Sequence, residues 1–230
     1  MSRTAIIVAA GSGQRMRNKI PKQFLDIDGK PVLWYTLRQF ESCSQVDQIL
    51  VVLPQHLLQE YGSTIKNEWN FDKIYRIVPG AQQRHLSVWN GLLEMPEDTE
   101  IVIIHDGVRP LVTHAMIRHS VEKALQAGAA VVGVKPKDTV KRVQNDHVLE
   151  TIPRDDLIMV QTPQTFRKQV ILDANRQAFE SGMFSTDDAA LVEMAGYPVV
   201  VVPGDWTNIK ITTPEDLKIA QVLLRERRMQ

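Results

Sequence analysis

Runs such as Ile101-Val102-Ile103-Ile104 constrain this chain most, because they are apolar at every position rather than at every second one. Side chains alternate between the two faces of a strand, so such a run is buried throughout only when both faces of its sheet are covered. Comparable strand candidates sit at Thr4–Ala9, Gln48–Leu53, Lys73–Val78, Ile101–His105, Ala129–Val134 and Val199–Val202. Segments with helical periodicity fall between them, at Val32–Ser42, His85–Leu93, His114–Ala127, Lys168–Ser181 and Pro214–Arg227. The last is well marked: Thr213 can cap it, Pro214 suits its first position, and Glu215 and Asp216 favour its first turn. This alternation predicts an α/β fold, a three-layer open and mostly parallel sheet with right-handed crossovers. Ligands of such a sheet bind beyond the carboxyl ends of its strands.

The 230 residues fit one domain over 1–230, and 43% hydrophobic residues suffice for a sizeable core. No apolar run is long enough to cross a bilayer. Met1-Ser2-Arg3 leads straight into the first strand candidate, so no signal peptide and no membrane partner are expected. Cys43 is the single cysteine, which excludes an intramolecular disulfide and a cysteine-based zinc cluster, and the six histidines lack metal-ligand spacing. The cytoplasm is the expected compartment. A formal net charge of zero argues against nucleic acid as a partner. The first thirty residues are nevertheless locally basic: Arg3, Arg15, Arg17, Lys19, Lys22 and Lys30 outnumber Asp26 and Asp28. That pattern suits a small polyanion.

One segment interrupts the alternation. Residues 137–157 contain Thr139-Val140-Lys141-Arg142-Val143 and Val148-Leu149-Glu150-Thr151-Ile152 around the turn-like Gln144-Asn145-Asp146. This reads as an inserted β-hairpin arm. A lone two-stranded ribbon is marginal in water, so it packs either on its own sheet or on a second subunit.

The strand ends carry the chemistry. The first strand runs into Ala9-Ala10-Gly11-Ser12-Gly13-Gln14-Arg15-Met16, and Pro21-Lys22-Gln23 follows closely. Glycines let backbone N–H groups approach an anion, and arginine and lysine can neutralise phosphate. The spacing fits neither a Walker loop nor a dinucleotide fingerprint. Strand Ile101–His105 ends in Asp106-Gly107-Val108-Arg109. Asp106 there can meet a ribose hydroxyl or a metal ion, or it can cap the turn and pair with Arg109. Magnesium takes one or two carboxylates plus substrate phosphates, which a single strand-end aspartate satisfies. After Lys73–Val78 come Gly80 and Ala81, which allow close approach to a flat base, with Ser87 a turn into the next helix. That stretch also reads as an ordinary helix N-terminus. Lys210 lies between Ile209 and Ile211, so alternation places it on the opposite face, and Ser185-Thr186-Asp187-Asp188 reads as a helix cap.

The ordered series AAGSGQRM, PKQ, R-x-x-S-V, HDGVRP, KDTVKR, QTPQ, TDDA and NIKITTPEDL resembles the 2-C-methyl-D-erythritol 4-phosphate cytidylyltransferases over residues 4–224. The resemblance implies a Rossmann-like nucleotidyltransferase that uses CTP, a polyol phosphate and Mg2+. It implies a homodimer joined through the arm. Arg15 and Lys22 then stabilise charge on the α-phosphate, while Arg154 and Lys210 position the second substrate. Its substrate-binding positions fall on Ala9, Ala10, Gly11, Ser12, Gly13, Gly80, Ala81, Ser87, Asp106, Gly107, Arg109, Thr139, Thr186 and Asp187, with Asp106 also nearest the metal. Thr139 and Arg154 would act in the neighbouring subunit's site. Many relatives have a glycine where this chain has Ala81, an alanine at Val108 and a basic residue at Gln14. A ribitol 5-phosphate cytidylyltransferase is the nearest alternative, although its Ala-Gly-Gly loop differs from Ala9-Ala10-Gly11. A nucleotide-binding module without catalysis and a nicotinamide-dependent oxidoreductase rank lower.

Overall fold

A computed structural model describes residues 2–11, 20–185 and 187–229. Seven strands form one sheet: β1 (Ser2–Val8), β4 (Gln48–Leu53), β5 (Ile74–Pro79), β6 (Thr99–Asp106), β7 (Ala129–Val134), β10 (Met159–Arg167) and β11 (Val200–Pro203). Their order is β11-β7-β10-β6-β1-β4-β5. The pairs β1–β4, β1–β6, β4–β5 and β7–β11 are parallel, whereas β10 runs antiparallel to both of its neighbours.

Alternation divides each inner strand between two cores. In β1, Ala5 and Ile7 join one apolar cluster and Ile6 the other. Likewise Ile101 and Ile103 of β6 face one side, and Val102 and Ile104 the other. The first face is covered by α1 (Val32–Glu41), α2 (Leu58–Asn67) and α4 (His114–Ala127), through residues such as Leu37, Ile65 and Val121. The second is covered by α3 (Arg84–Leu93), α5 (Lys168–Ser181) and α6 (Asp188–Met194), through Leu92, Ile171 and Val192. These are the three layers that the apolar runs predict. A third cluster joins α7 (Pro214–Met229) to the short pair β2 (Asp26–Ile27) and β3 (Lys30–Pro31), with Leu224, Ile211 and Ile27 at its centre.

Strand β10 is the main departure from the sequence reading, which placed no strand there. Its polar residues and Pro163 argue against a central strand. The structure accommodates them where pairing with β7 breaks register, between Val160 and Gln164. At this break the buried Gln161 and Thr162 line a recess at the mouth of the sheet. Helix α2 and the pair β2–β3 are likewise additions to that reading.

The arm forms as expected, from β8 (Val140–Gln144) and β9 (His147–Ile152). Asn145 and Asp146 have φ of 47° and 62°, the left-handed pair that a tight hairpin turn needs. The two strands make a sheet of their own, separate from the seven-stranded one. Val143, Val148 and Leu149 are more than half exposed. The hairpin is therefore not an edge extension of its own sheet.

The topology positions the site. From β1 the chain moves outward to β4 and β5, then returns to the other side of β1 as β6. The crevice at this switch point opens beyond the carboxyl ends of β1 and β6.

Candidate active site

Two glycines fix the walls of the crevice by close packing. A Cβ on Gly80 would stand 2.2 Å from the Cβ of Ala10, and one on Gly107 would stand 2.9 Å from that of Ala9. Both distances are shorter than any tolerable carbon contact, so the loops after β5 and β6 meet the end of β1 only because no side chain intervenes. The backbone N–H of Gly107 donates to Val8 (2.8 Å) and that of Gly80 to Leu53 (2.7 Å). Ser87 is buried, and its hydroxyl accepts from the Ala81 N–H at 2.9 Å, which shapes the loop from Gly80 into α3.

An open cleft results, lined by Ala9, Ala10 and Gly11 just after β1, Lys22, the loop with Ala81, and Ser87, Arg84, Asp106 and Lys210. Lys22 donates to the Ile211 carbonyl at 3.1 Å, beside Lys210. A second, more open recess adjoins it, lined by Arg109, Gln161, Thr162, Gln164 and Asp187. Arg84, Asp106 and Lys210 line both. They form a charged wall between two cavities.

Asp106, at the end of β6, is the hub of that wall. Its carboxylate lies 2.9 Å from Lys210 Nζ, 3.3 Å from Arg84 Nε and 3.4 Å from Arg109 Nε. Burial opposes its charge, yet Arg84, Lys210 and Arg109 outweigh burial and hold the carboxyl well below the usual carboxylate range. Arg84 also reaches the buried Asp188 on α6 at 2.7 Å. Burial opposes the guanidinium charge too, but Asp188 and Asp106 raise its pKa overall. Asp188 itself is pushed up by its burial, against the pull of Arg84.

Behind this wall the hydrogen bonds are directional. The Asp106 N–H donates to Thr162 Oγ1 (3.1 Å), the Thr162 hydroxyl is 2.9 Å from His105 Nδ1, and His105 Nε2 lies 3.2 Å from the Arg109 carbonyl. A hydroxyl that accepts from Asp106 has its proton free for Nδ1, which leaves Nε2 to carry the ring proton. Burial lowers the His105 pKa to about 3, so the ring is neutral and structural. Asn208 donates to the Thr162 carbonyl at 3.0 Å, and Arg109 to the Asn208 carbonyl at 2.8 Å, which fixes the loop that carries Lys210.

The structure thus gathers Ala9, Ala10, Gly11, Lys22, Ala81, Ser87, Asp106, Arg109, Asp187 and Lys210 around the two cavities, with Gly80 and Gly107 packed behind. Asp106 and Arg109 pair, one of the two arrangements expected. Asp187 caps α6 by accepting from the Ala190 N–H and also binds Gln164. Ser12, Gly13, Arg15 and Thr186 lie outside the described residues. Thr139 and Arg154 are exposed on the arm, and neither lines these two cavities within one chain. Arg154 donates instead to the Lys137 carbonyl at 2.6 Å, closing the base of the arm. Sequence reasoning missed Arg84, Asp188, Gln161, Thr162 and Asn208. The family motif R-x-x-S-V already contained Arg84, but nothing in local sequence pairs it with Asp188.

Among the described residues, no three His, Cys, Asp or Glu side chains converge as a metal cage. The mouth offers instead the ionised Asp106 carboxylate, on the wall that the two cavities share. That donor set fits a cation that brings most of its ligands with a bound phosphate chain.

An open α/β sheet with a cleft at its switch point, walled by lysine, arginine and aspartate, suits a ligand that carries phosphate. The family model for 2-C-methyl-D-erythritol 4-phosphate cytidylyltransferase matches residues 3–226. A protein of that name from Caldanaerobacter subterraneus is 42% identical over 227 residues, spanning 98% of this chain and all of the relative. One from Desulforamulus reducens is 45% identical over 97% of this chain and 96% of its own length. Among solved structures, the 4-diphosphocytidyl-2C-methyl-D-erythritol synthase of Anaerococcus prevotii superposes with a TM-score of 0.86 at 32% identity, covering 97% of this chain and 98% of that one. The 2-C-methyl-D-erythritol 4-phosphate cytidylyltransferase of Francisella tularensis gives 0.81 at 31% identity, covering 96% and 99%. The chain belongs to the 2-C-methyl-D-erythritol 4-phosphate cytidylyltransferase family and is an enzyme, a cytidylyltransferase.

Proposed function

We propose that this enzyme transfers CMP from CTP to 2-C-methyl-D-erythritol 4-phosphate, a step of isoprenoid precursor synthesis, with release of pyrophosphate. The observation that carries this reading is the shared wall: Lys210, Asp106 and Arg84 line both the nucleotide cleft and the second polar recess. Two anions that react with each other need such a partition, positive on both sides and thin enough for contact.

CTP lies with its base against the Gly80–Ser87 loop and its triphosphate over Gly11, near Lys22. The polyol phosphate occupies the recess with Arg109, Thr162 and Asp187. A phosphate oxygen of the polyol attacks the α-phosphorus in line, an O–P bond forms, and the bond to the bridging oxygen of pyrophosphate breaks. The attacking oxygen is ionised at neutral pH, so no general base is required. The chain contributes position and charge. Lys22 and Arg15 stabilise the crowded α-phosphate, and Lys210 turns from Asp106 to the incoming phosphate. Magnesium, when bound, neutralises triphosphate charge and would be held by Asp106 together with phosphate oxygens.

The chain acts as one nucleotidyltransferase domain with the arm as its insertion. Its exposed Val143, Val148 and Leu149 support a homodimer in which Thr139 and Arg154 reach the partner's recess. No helix among the described residues is long and apolar enough to cross a membrane. Cytoplasmic placement is part of the proposal.

The test is pyrophosphate release from CTP and magnesium with either 2-C-methyl-D-erythritol 4-phosphate or ribitol 5-phosphate. Preference for the first is expected. Preference for the second, or release with neither, would overturn the substrate assignment.

A further inference from the structure

Arg84 is a side chain that the proposed chemistry does not use, although it lines both cavities of the site. Its guanidinium bridges two carboxylates from distant elements: Nε to Asp106 Oδ1 at 3.3 Å, and a terminal nitrogen to Asp188 Oδ2 at 2.7 Å. Asp188 is 2% exposed and Asp106 5% exposed. A buried carboxylate stripped of its partner is costly, so each needs a cation that stays.

Lys210 is the least buried of the three cations on Asp106, with 37% of its side chain exposed against 23% for Arg84 and 11% for Arg109. It also takes the opposite oxygen, Oδ2, from the one held by Arg84. Three cations face two carboxylates here. The cluster can therefore lose Lys210 to an incoming phosphate and still keep a cation on each carboxylate.

We infer that Arg84 is a positioning residue for the second substrate, clamping Asp106 to Asp188 so that Lys210 can leave Asp106 for the phosphate of the polyol. This rests on the proposed role of Lys210. The clamp requires a planar fork. A lysine carries the charge but, as a point donor, cannot span both carboxylates in one geometry. With the clamp lost, Asp106 depends more heavily on Lys210, and the cost falls on the polyol phosphate rather than on CTP.

The experiment compares the wild-type chain with Arg84→Lys, Arg84→Gln and Asp188→Asn. Steady-state constants are read by pyrophosphate release, equilibrium binding of CTP and of 2-C-methyl-D-erythritol 4-phosphate by calorimetry, and folding by thermal melts. Arg84→Lys is expected to weaken polyol phosphate binding and raise its KM about tenfold or more, a loss typical of a misplaced reacting group, with CTP binding changed less than about threefold. Asp188→Asn should shift the same constants in the same direction, and adding it to Arg84→Gln should cost little more. Unchanged polyol phosphate constants in Arg84→Lys would overturn the assignment. So would equal losses for both substrates in step with a lowered melting temperature, the mark of a purely structural role. Calorimetry reads the split without turnover. A wild-type chain that binds both substrates yet releases no pyrophosphate would refute the reaction, while the same binding split in Arg84→Lys would still support the clamp.

Discussion

The ammonium of Lys22 rests 3.1 Å from the carbonyl oxygen of Ile211, the residue that follows Lys210. One cation of the nucleotide cleft is thereby tied to the loop that carries the cation of the second recess. Burial and hydrogen bonding set that loop: Ile211 is fully buried, and its N–H donates to the Val108 carbonyl at 2.9 Å. Lys22 is thus held beside the cleft before substrate arrives. Preorganised charge of this kind contributes most where charge develops during reaction.

Substituting Lys22 by alanine should therefore lower kcat by about two orders of magnitude or more, as expected for a lost transition-state donor, with a modest effect on stability. Arg15→Ala should do the same on the strength of its motif. Turnover with saturating substrates checks both, and near-normal rates would remove these cations from the chemistry.

Gly80→Ala tests the cleft wall rather than its charge. The new methyl would collide with Ala10, whose Cβ would be only 2.2 Å away. The loop must move off the end of β1, which breaks the Gly80 N–H bond to Leu53 or displaces Ser87. A destabilisation of about 1–3 kcal/mol is expected, typical of overpacking. KM for CTP should rise more than that for the polyol phosphate. Denaturant titration and steady-state kinetics read the two effects, and an unchanged KM for CTP would mean that the base does not lie against this loop.

The sheet was legible in the sequence because its inner strands, such as Ile101-Val102-Ile103-Ile104, are short, β-branched and apolar on both faces. Strand β10 was not, since Gln161, Thr162 and Gln164 are polar and Pro163 lacks an N–H. Their polarity follows from the register break that turns them toward the recess and from the hydrogen bonds of Thr162 and Gln164. Within the site, Asp106 could be placed from its strand-end position, whereas Lys210 lies in the loop between β11 and α7 and not on the alternating strand that its apolar neighbours suggest. The Arg84–Asp188 ion pair spans 104 positions along the chain, a separation over which local pattern carries no information.

His105 sets a dependence of stability on acid. Its folded pKa of about 3 lies below the ordinary value of 6.5, because burial disfavours the charged ring more than Asp106 favours it, while Arg109 and Lys210 add repulsion. A group whose folded pKa is depressed contributes stability that is complete above its unfolded pKa and is lost as pH falls toward the folded one. Stability should then decline from about pH 6.5, by about 2 kcal/mol at pH 5. Urea unfolding at pH 7.5 and pH 5 measures the decline, and His105→Gln should be less stable at pH 7.5 but flatter across the range. An equally steep decline in that variant would assign the acid sensitivity to other groups.

The arm makes a prediction of a different kind, because its apolar residues face outward in one chain. Val148 is 60% exposed and Leu149 56%, on a hairpin that pairs with no other strand among the described residues. Replacing Leu149 with aspartate removes little burial from the isolated chain, so the melting temperature of a monomer should hardly move. In a dimer joined through the arm, the new charge would be buried without a partner and association would weaken by about 3 kcal/mol or more, on the order of a hundredfold. Sedimentation across a concentration series should show the wild type as a dimer and Leu149→Asp shifted toward monomer. Turnover should fall in parallel, because Thr139 and Arg154 line neither cavity of their own chain and act on the partner's recess in the proposed dimer. A Leu149→Asp variant that stays dimeric would move the interface elsewhere. A monomer with full activity would remove Thr139 and Arg154 from the site.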